Sequence, residues 1–277
     1  MAITQWTGAA DGDLDNDANW SGVTAAQDDT AIFENATQAV TTDLDGLGAI
    51  TGLDIRVGAT MAGAIGTASV PLETSTGTTL TYNGVTCPLS NWDLETATEV
   101  KVLGTSGAAN AFILSLGTTT DFYAVGGNIV IDGATITNLY VLGGNVTVTA
   151  GSTISTKVEQ DGGSLKVACA LPATVNVNGG TCEHNGASVN CGTVTVRGGM
   201  FLPNTPGSTI TLVVARGAGV IDFTQISGQR TVTNSQTWHG GVINVGDASH
   251  NVTLSNATKI YKGTLLGTPS AAADTEF

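Results

Sequence analysis

Seven consecutive residues hold the densest set of potential ligands in the chain: Asp11-Gly12-Asp13-Leu14-Asp15-Asn16-Asp17. Oxygen donors at every second position suit a Ca²⁺ loop. A helix-loop-helix calcium site would also place Gly at the sixth position and Glu at the twelfth. Those places hold Asn16 and Gly22, and no helical pattern flanks them. The stretch therefore reads as a solvated acidic turn leading into Trp20, and no metal ligands are assigned.

The remaining acids offer hydrolytic chemistry only if two of them face one groove about 5–10 Å apart. Asp121, Asp132, Glu159, Asp161, Glu183, Asp222 and Asp247 share no common offset along the chain, so no carboxylate column is expected. A β-elimination lyase would add a basic residue beside clustered acids. Arg197 and Arg216 read better as an exposed ladder, for a reason of spacing given below. His184, His239 and His250 form no recognisable Ser-His-Asp set, and no phosphate-binding glycine loop is present. Cys87, Cys169, Cys182 and Cys191 lack CxxC or metal-ligand spacing. They read as buried small hydrophobes in a reducing compartment, with a Cys182–Cys191 disulfide as the alternative. Neither a catalytic residue nor a cofactor is assigned, and the expectation is a protein that is not an enzyme.

The elements that carry these residues follow from a recurring double glycine. It falls at Gly126-Gly127, Gly143-Gly144, Gly162-Gly163, Gly179-Gly180 and Gly198-Gly199. Gly217-Ala218-Gly219 and Gly240-Gly241 continue the run. Between the pairs, apolar and polar residues alternate, as in Asn145-Val146-Thr147-Val148. A near-constant period enclosing strand-like alternation predicts an all-β, right-handed parallel β-helix, a β-solenoid with rungs of about 17–19 residues. Arg197 and Arg216 are one such rung apart. Val, Ile and Leu are expected to point inward and Thr, Asn, Lys and Glu outward. Val130 breaks the alternation and reads as wedged on both faces. Eight such rungs would stack to about 40 Å. A β-sandwich or barrel with glycine-rich hairpins is the competing architecture.

Four regions are expected: an irregular N-terminal capping or attachment region over 1–57, less regular strands over 58–103, the solenoid over 104–263, and a tail over 264–277. Asp43-Leu44-Asp45-Gly46 reads as turn material. The segment Thr237–Lys262 is the candidate cap for the far end.

The whole chain has 277 residues, 37 of them glycine, with 12% charged and 5% aromatic residues. The 41% hydrophobic share is too large for a disordered chain. A net charge of −14 and the lack of any basic stripe argue against nucleic acid and against an anionic membrane surface. No apolar run approaches the roughly 20 residues of a membrane span. The N-terminus lacks the basic and apolar regions of a secretion signal, so either a leader is removed or the protein is made and used without export, and the initiating methionine favours the second.

Trp6-Thr7-Gly8, Asn19-Trp20-Ser21-Gly22 and Asp29-Thr30-Ala31-Ile32-Phe33 together resemble an N-terminal signature, W-T-G…N-W-S-G…D-x-A-x-F. It opens many glycine/threonine-rich β-solenoid repeat proteins, among them tailed-phage capsid-associated structural proteins and autotransporter-like surface proteins. The proline usual before the aspartate is replaced here by Thr24-Ala25-Ala26-Gln27. The match covers about residues 4–33; the rest agrees only in style. The resemblance implies a virion structural protein, most directly a bacteriophage capsid decoration or cement protein. It would bind the major capsid protein, assemble as a homotrimer, and sit on the capsid surface after assembly in host cytoplasm. Trp6, Trp20 and Phe33 are the candidate partner-binding residues, with filling of the solenoid mouth as their other role. A tail fibre, spike or surface adhesin that contacts glycans is the alternative. It asks for an aromatic groove, and Tyr123, Tyr140, Phe201, Phe223 and Trp238 share no evident column.

Overall fold

A computed structural model describes residues 2–22, 29–41, 51–67, 69–108, 111–186, 190–256, 258–269 and 271–272. Thr24–Gln27, Asp43–Gly46 and the segment 273–277 lie outside that set. The chain is all-β with almost no helix, and its parallel strands stack as a β-solenoid of about 11 turns. That is more turns than the eight expected, because coils form well outside 104–263.

The chain divides into two units, one of residues 1–137 and 144–146, the other of 138–143 and 147–277. The strands of the first are β1 (Ile3–Trp6), β2 (Thr30–Phe33), β3 (Asp54–Val57), β4 (Leu72–Gly84), β5 (Ser90–Thr105), β6 (Phe112–Ala124) and β7 (Asn128–Ile131). Parallel pairing begins at the third residue, where Ile3 lies opposite Thr30. Thr30 lies opposite Asp54, and Asp54 opposite Thr79. The region expected to be an irregular cap therefore already consists of coils. They escaped the repeat because loops inserted between their strands make each coil longer than the double-glycine period.

In-register stacking builds two inward columns in this unit. Thr4, Ala31, Ile55, Leu80, Val100 and Phe122 form one; Trp6, Phe33, Val57, Tyr82, Val102 and Ala124 form the other. Every member is buried. Alternation holds in β7 as well, where Ile129 and Ile131 are buried and Val130 is only half-buried on the outward set.

The strands β8 (Thr135–Val141) and β9 (Asn145–Val148) straddle the division between the units. The second unit continues with β10 (Thr153–Gln160), β11 (Ser164–Val167), β12 (Thr174–Val177), β13 (Thr181–His184), β14 (Asn190–Val196), β15 (Met200–Pro203) and β16 (Thr209–Arg216). Then come β17 (Val220–Asp222), β18 (Arg230–Trp238), β19 (Val242–Asn244), β20 (Val252–Leu254), β21 (Thr258–Tyr261), β22 (Thr264–Leu266) and β23 (Ala271–Ala272). Lys157 lies opposite Thr174 and Thr174 opposite Thr193, which keeps the expected period. Thr209 lies opposite Thr231, a longer coil. The double-glycine period thus describes the middle of the chain. The expected far cap, Thr237–Lys262, consists of further coils: β18 pairs in parallel with β20 and β21, and β19 with β22.

Columns in this unit are as regular as in the first. Leu165, Cys182, Phe201, Ile221, Ile243 and Leu265 stack in one. Val158, Val175, Val194 and Val213 stack in another, which ends in Ser235 and Thr258, whose buried hydroxyls bond each other at 2.6 Å. Closing the column with a mutually bonded hydroxyl pair avoids the cost of an unpaired buried group.

The corners explain the glycines. Gly180 has φ +73°, and a Cβ there would overlap the carbonyl oxygen of Gly163 one coil below. Buried Gln160 reinforces this corner: its Nε2 donates to the carbonyls of Gly162 and Gly163 at 3.2 Å and of Thr181 at 3.0 Å. Gly107, by contrast, has open space where a Cβ would go. Gly180→Ala is expected to lower unfolding free energy by about 1–3 kcal/mol, through backbone strain plus the carbonyl contact. Gly107→Ala should be neutral or slightly stabilising. Denaturant titration of the two variants against the parent checks the contrast.

Candidate functional site

The aromatics singled out as partner-binding residues lie inside the first unit. Trp6 and Phe33 are fully buried and Trp20 is 5% exposed. Their rings pack at centroid distances of 5.5 Å (Trp6–Trp20), 5.7 Å (Trp20–Phe33) and 6.3 Å (Trp6–Phe33). Trp20 Nε1 donates to the Leu14 carbonyl at 2.9 Å. The loop that carries Trp20 folds back on β1, with an antiparallel bridge between Trp6 and Trp20 and a bond from Ser21 N to Gln5 O at 2.8 Å. The three rings thus pack on one another inside the first unit and present no exposed face.

The acidic loop is organised by its own hydrogen bonds. Buried Asn19 accepts from Ala10 N at 2.8 Å and Asp11 N at 3.1 Å, and donates to Asp11 Oδ1 at 2.7 Å and Asp13 O at 2.8 Å. Asp11 also accepts from Asp13 N, and Asp13 from Asp15 N. Asn16 caps the short 3₁₀ turn Asp17–Asn19 by accepting from Ala18 N. The bond from Asn19, followed by that from Asp13 N, holds the Asp11 carboxyl below the usual carboxylate range. Among the described residues no three His, Cys, Asp or Glu side chains converge on a metal position.

Polar side chains of the second unit form ladders between coils. Glu159 accepts from Asn176 at 3.1 Å and Asn178 at 2.8 Å; Asn178 also donates to Asp161, and Arg197 donates to Asn178 Oδ1 at 3.0 Å. Asp222 accepts from Thr224 and Gln225 of its own turn. Asp247, Ser249 and His250 do meet, but Ser249 Oγ donates to Asp247 Oδ1 at 2.5 Å and His250 Nδ1 faces the same oxygen at 3.0 Å. In a catalytic triad the serine would bond the histidine nitrogen remote from the aspartate. The register of β14 and β16 puts Arg197 and Arg216 at consecutive coil positions, and Arg216 lies 5.5 Å over the Trp238 ring. Trp238 in turn stacks on Tyr261 at 3.9 Å. Trp238 thus belongs to an aromatic column after all, with Tyr261 of the next coil as its partner.

All four cysteines are free and buried, so the Cys182–Cys191 disulfide is not formed. Burial pushes the Cys191 thiol up to about 12 and that of Cys182 still higher. His184 fills an inward position between Val167 and Pro203. Its Nε2 lies 3.1 Å from the Cys169 carbonyl, and burial holds its pKa below the ordinary value.

Among the described residues, a cleft of about 280 Å³ on the first unit is lined by Glu73, Thr74, Asp93, Glu95 and Gly117. Register shifts lie beside it. The register shifts between Thr76 and Thr78 of β4, and twice along β5 against β6, at Trp92/Asp93 and at Leu94/Thr96. Gly117, at φ +91°, makes the slip possible, since a Cβ there would overlap the Leu94 carbonyl. Glu73 and Asp93 lie directly opposite one another on β4 and β5. Burial, then the charges of Glu73 and Glu95, hold the Asp93 carboxyl above the usual range. Thr74 is 2% exposed and its hydroxyl has no partner. The sequence hid this trio: Glu73 and Asp93 fall before the regular repeat begins, and they become neighbours only through the register.

Two titration effects follow. The raised carboxyl of Asp93 means that the stability it contributes is full below its unfolded pKa of about 3.9 and is lost as pH rises through the folded value. Asp93→Asn should therefore raise the melting midpoint at pH 7, and the gain should vanish at pH 3. The depressed pKa of His184 works the other way. As pH falls below about 6.5, the unfolded state takes up a proton that the folded state refuses, and stability drops. His184→Gln should flatten the stability-versus-pH curve between about pH 6.5 and 5, as read by denaturant titration across that window.

Comparison with family models, with curated proteins and with solved structures gives no match.

Proposed function

We propose that this chain is a non-enzymatic structural protein of a virion, a bacteriophage capsid decoration or cement protein that binds the major capsid protein and assembles as a homotrimer. The observation that supports this reading is the use made of the signature residues. Thr7 Oγ1 donates to the Asn19 carbonyl at 2.8 Å, and Asn19 is the hydrogen-bonding hub of the acidic loop. Gly8 adopts φ +57° where a Cβ would run into Gln38, and Trp6, Trp20 and Phe33 form one closed cluster. In this chain the motif W-T-G…N-W-S-G…D-x-A-x-F builds a coil of the β-solenoid and packs its aromatics inside it. That is what the resembled phage structural proteins would need it for. A net charge of −14 adds resistance to stray edge-to-edge association in a β-rich protein made at high concentration.

A glycan-binding fibre or adhesin is the second reading, favoured by the Arg216–Trp238–Tyr261 column, in which Tyr261 is 40% exposed. Aromatic side chains with a polar edge are the usual contact surface for a ligand that is part apolar and part wet.

Incubating the purified protein with capsids that lack it, followed by particle imaging, separates the two. Density at regular symmetry positions is the expected result. Bare capsids beside free protein would overturn the decoration reading, and a glycan array probed with the parent and with Trp238→Ala would then test the second.

A further inference from the structure

The chain has 23 acids, yet one wall of the second unit is free of them. Strands β14, β16, β18 and β21 stack there in register, and residues 190–197, 209–216, 230–239 and 258–262 include no Asp or Glu. The cations Arg197, Arg216, Lys259 and Lys262 are exposed on these strands and at the corners that follow them. Among the described residues none of the four has a carboxylate within ion-pair reach. Arg56, Lys101 and Lys166, by contrast, lie 2.7, 2.6 and 3.8 Å from Asp54, Glu99 and Glu183.

We infer that this wall binds an acidic polysaccharide, with the ring of one uronate stacked on Tyr261 and its carboxylate held by the cations beside it. The aromatic column is the first argument. Arg216, from the coil before, lies 5.5 Å over Trp238, and Tyr261, from the coil after, stacks on Trp238 at 3.9 Å. Tyr261 is the last member of this column among the described residues and is 40% exposed. A sugar ring has an apolar face and a polar rim, which suits an amphipathic aromatic side chain. Charge is the second argument. In a protein of net charge −14, an anion is drawn only to a surface from which acids are missing, and a carboxylate gains charge-assisted hydrogen bonds from Arg and Lys there. Lys259 shares one face of β21 with Tyr261, two residues along the strand. The corner is the third. Arg216, Trp238 and Tyr261 are followed by Gly217, His239 and Lys262, at φ +58°, +48° and +59°. That left-handed conformation suits glycine. His239 and Lys262 hold it under strain, as residues at ligand sites do, and set two nitrogen-bearing side chains at the edge of the column.

Charge spacing favours a polyuronate over a nucleic acid. Arg197 to Tyr261 covers three coil steps, about 14 Å along the wall. A polyuronate presents one ring and one charge per sugar over that length. A nucleic acid asks for a longer basic stripe to neutralise its phosphates, and the acidic remainder of the protein repels it. The inference rests on the glycan reading of the Arg216–Trp238–Tyr261 column and adds the class of sugar; it holds wherever the protein is mounted.

The test titrates the full chain by calorimetry at low ionic strength with tetragalacturonate, with the same tetramer methyl-esterified at its carboxyls, and with a single-stranded oligothymidylate. Tetragalacturonate should bind about tenfold or more tightly than its ester. Arg216→Gln/Lys259→Gln should weaken that binding about tenfold or more. Tyr261→Ala should weaken both sugars by about threefold to tenfold. Arg56→Gln/Lys166→Gln, the same change in net charge away from this wall, should stay within about twofold of the parent. Equal losses in the two double variants would mean only general attraction and would overturn the inference. Equal binding of acid and ester would overturn the acidic class and leave the glycan reading in place. Binding of neither sugar would overturn the inference and the glycan reading together. Tighter binding of oligothymidylate, lost in the Arg216→Gln/Lys259→Gln variant, would overturn it in favour of a nucleic acid.

Discussion

Each coil of this protein must lie about 4.8 Å from the next with its residues in register, and that spacing is the constraint on which the rest depends. Parallel pairing then brings equivalent positions together, so a residue's column neighbours are set by coil length. Where coil length is steady the columns are uniform, as in Val158, Val175, Val194 and Val213. The same spacing crowds the corners, where the carbonyl of one coil occupies the place a Cβ of the next would take. Gly180 over Gly163 is such a corner, and the inward amide of Gln160 ties its carbonyls together.

Register also decides what polar groups can do. An outward Asn or Glu finds its counterpart one coil away, so Glu159, Asn176, Asn178 and Arg197 become a ladder that stiffens the wall. Inward polar residues survive when the next coil completes them, as Ser235 and Thr258 do. Buried Arg230 is completed differently, by the carbonyls of Ile226 and His250 at 2.9 and 2.7 Å, and so fastens two corner loops to its strand. Glu73 and Asp93 face each other in register on β4 and β5 without such completion.

The middle of the fold was legible because the even steps between double glycines are a direct image of the coil. The N-terminal coils were not, since insertions stretch them and the repeat disappears from the sequence while persisting in space. Trp6, Trp20 and Phe33 were recognisable as a group, but their burial was not, because an inward aromatic and an outward one look alike in sequence. The cleft was illegible for a deeper reason. Glu73 and Asp93 meet by in-register pairing of two coils whose length the double-glycine period does not give, and the bulges of β5 against β6 only shape the surface beside them. Tyr261 beside Trp238 was missed likewise, because the coil that joins them is longer than the double-glycine period.

If register decides which polar groups meet, and sets Glu73 against Asp93, the individual carboxylates must report it. The direct measurement is a site-resolved ¹³C NMR titration of the 23 Asp and Glu side chains. Asp93 should titrate above the ordinary carboxylate range, and Asp11 and Asp247, bound by their own turns, below it. Asp93 titrating with the bulk of the carboxylates would contradict the account, because the cleft would then be neither crowded with charge nor shielded from water.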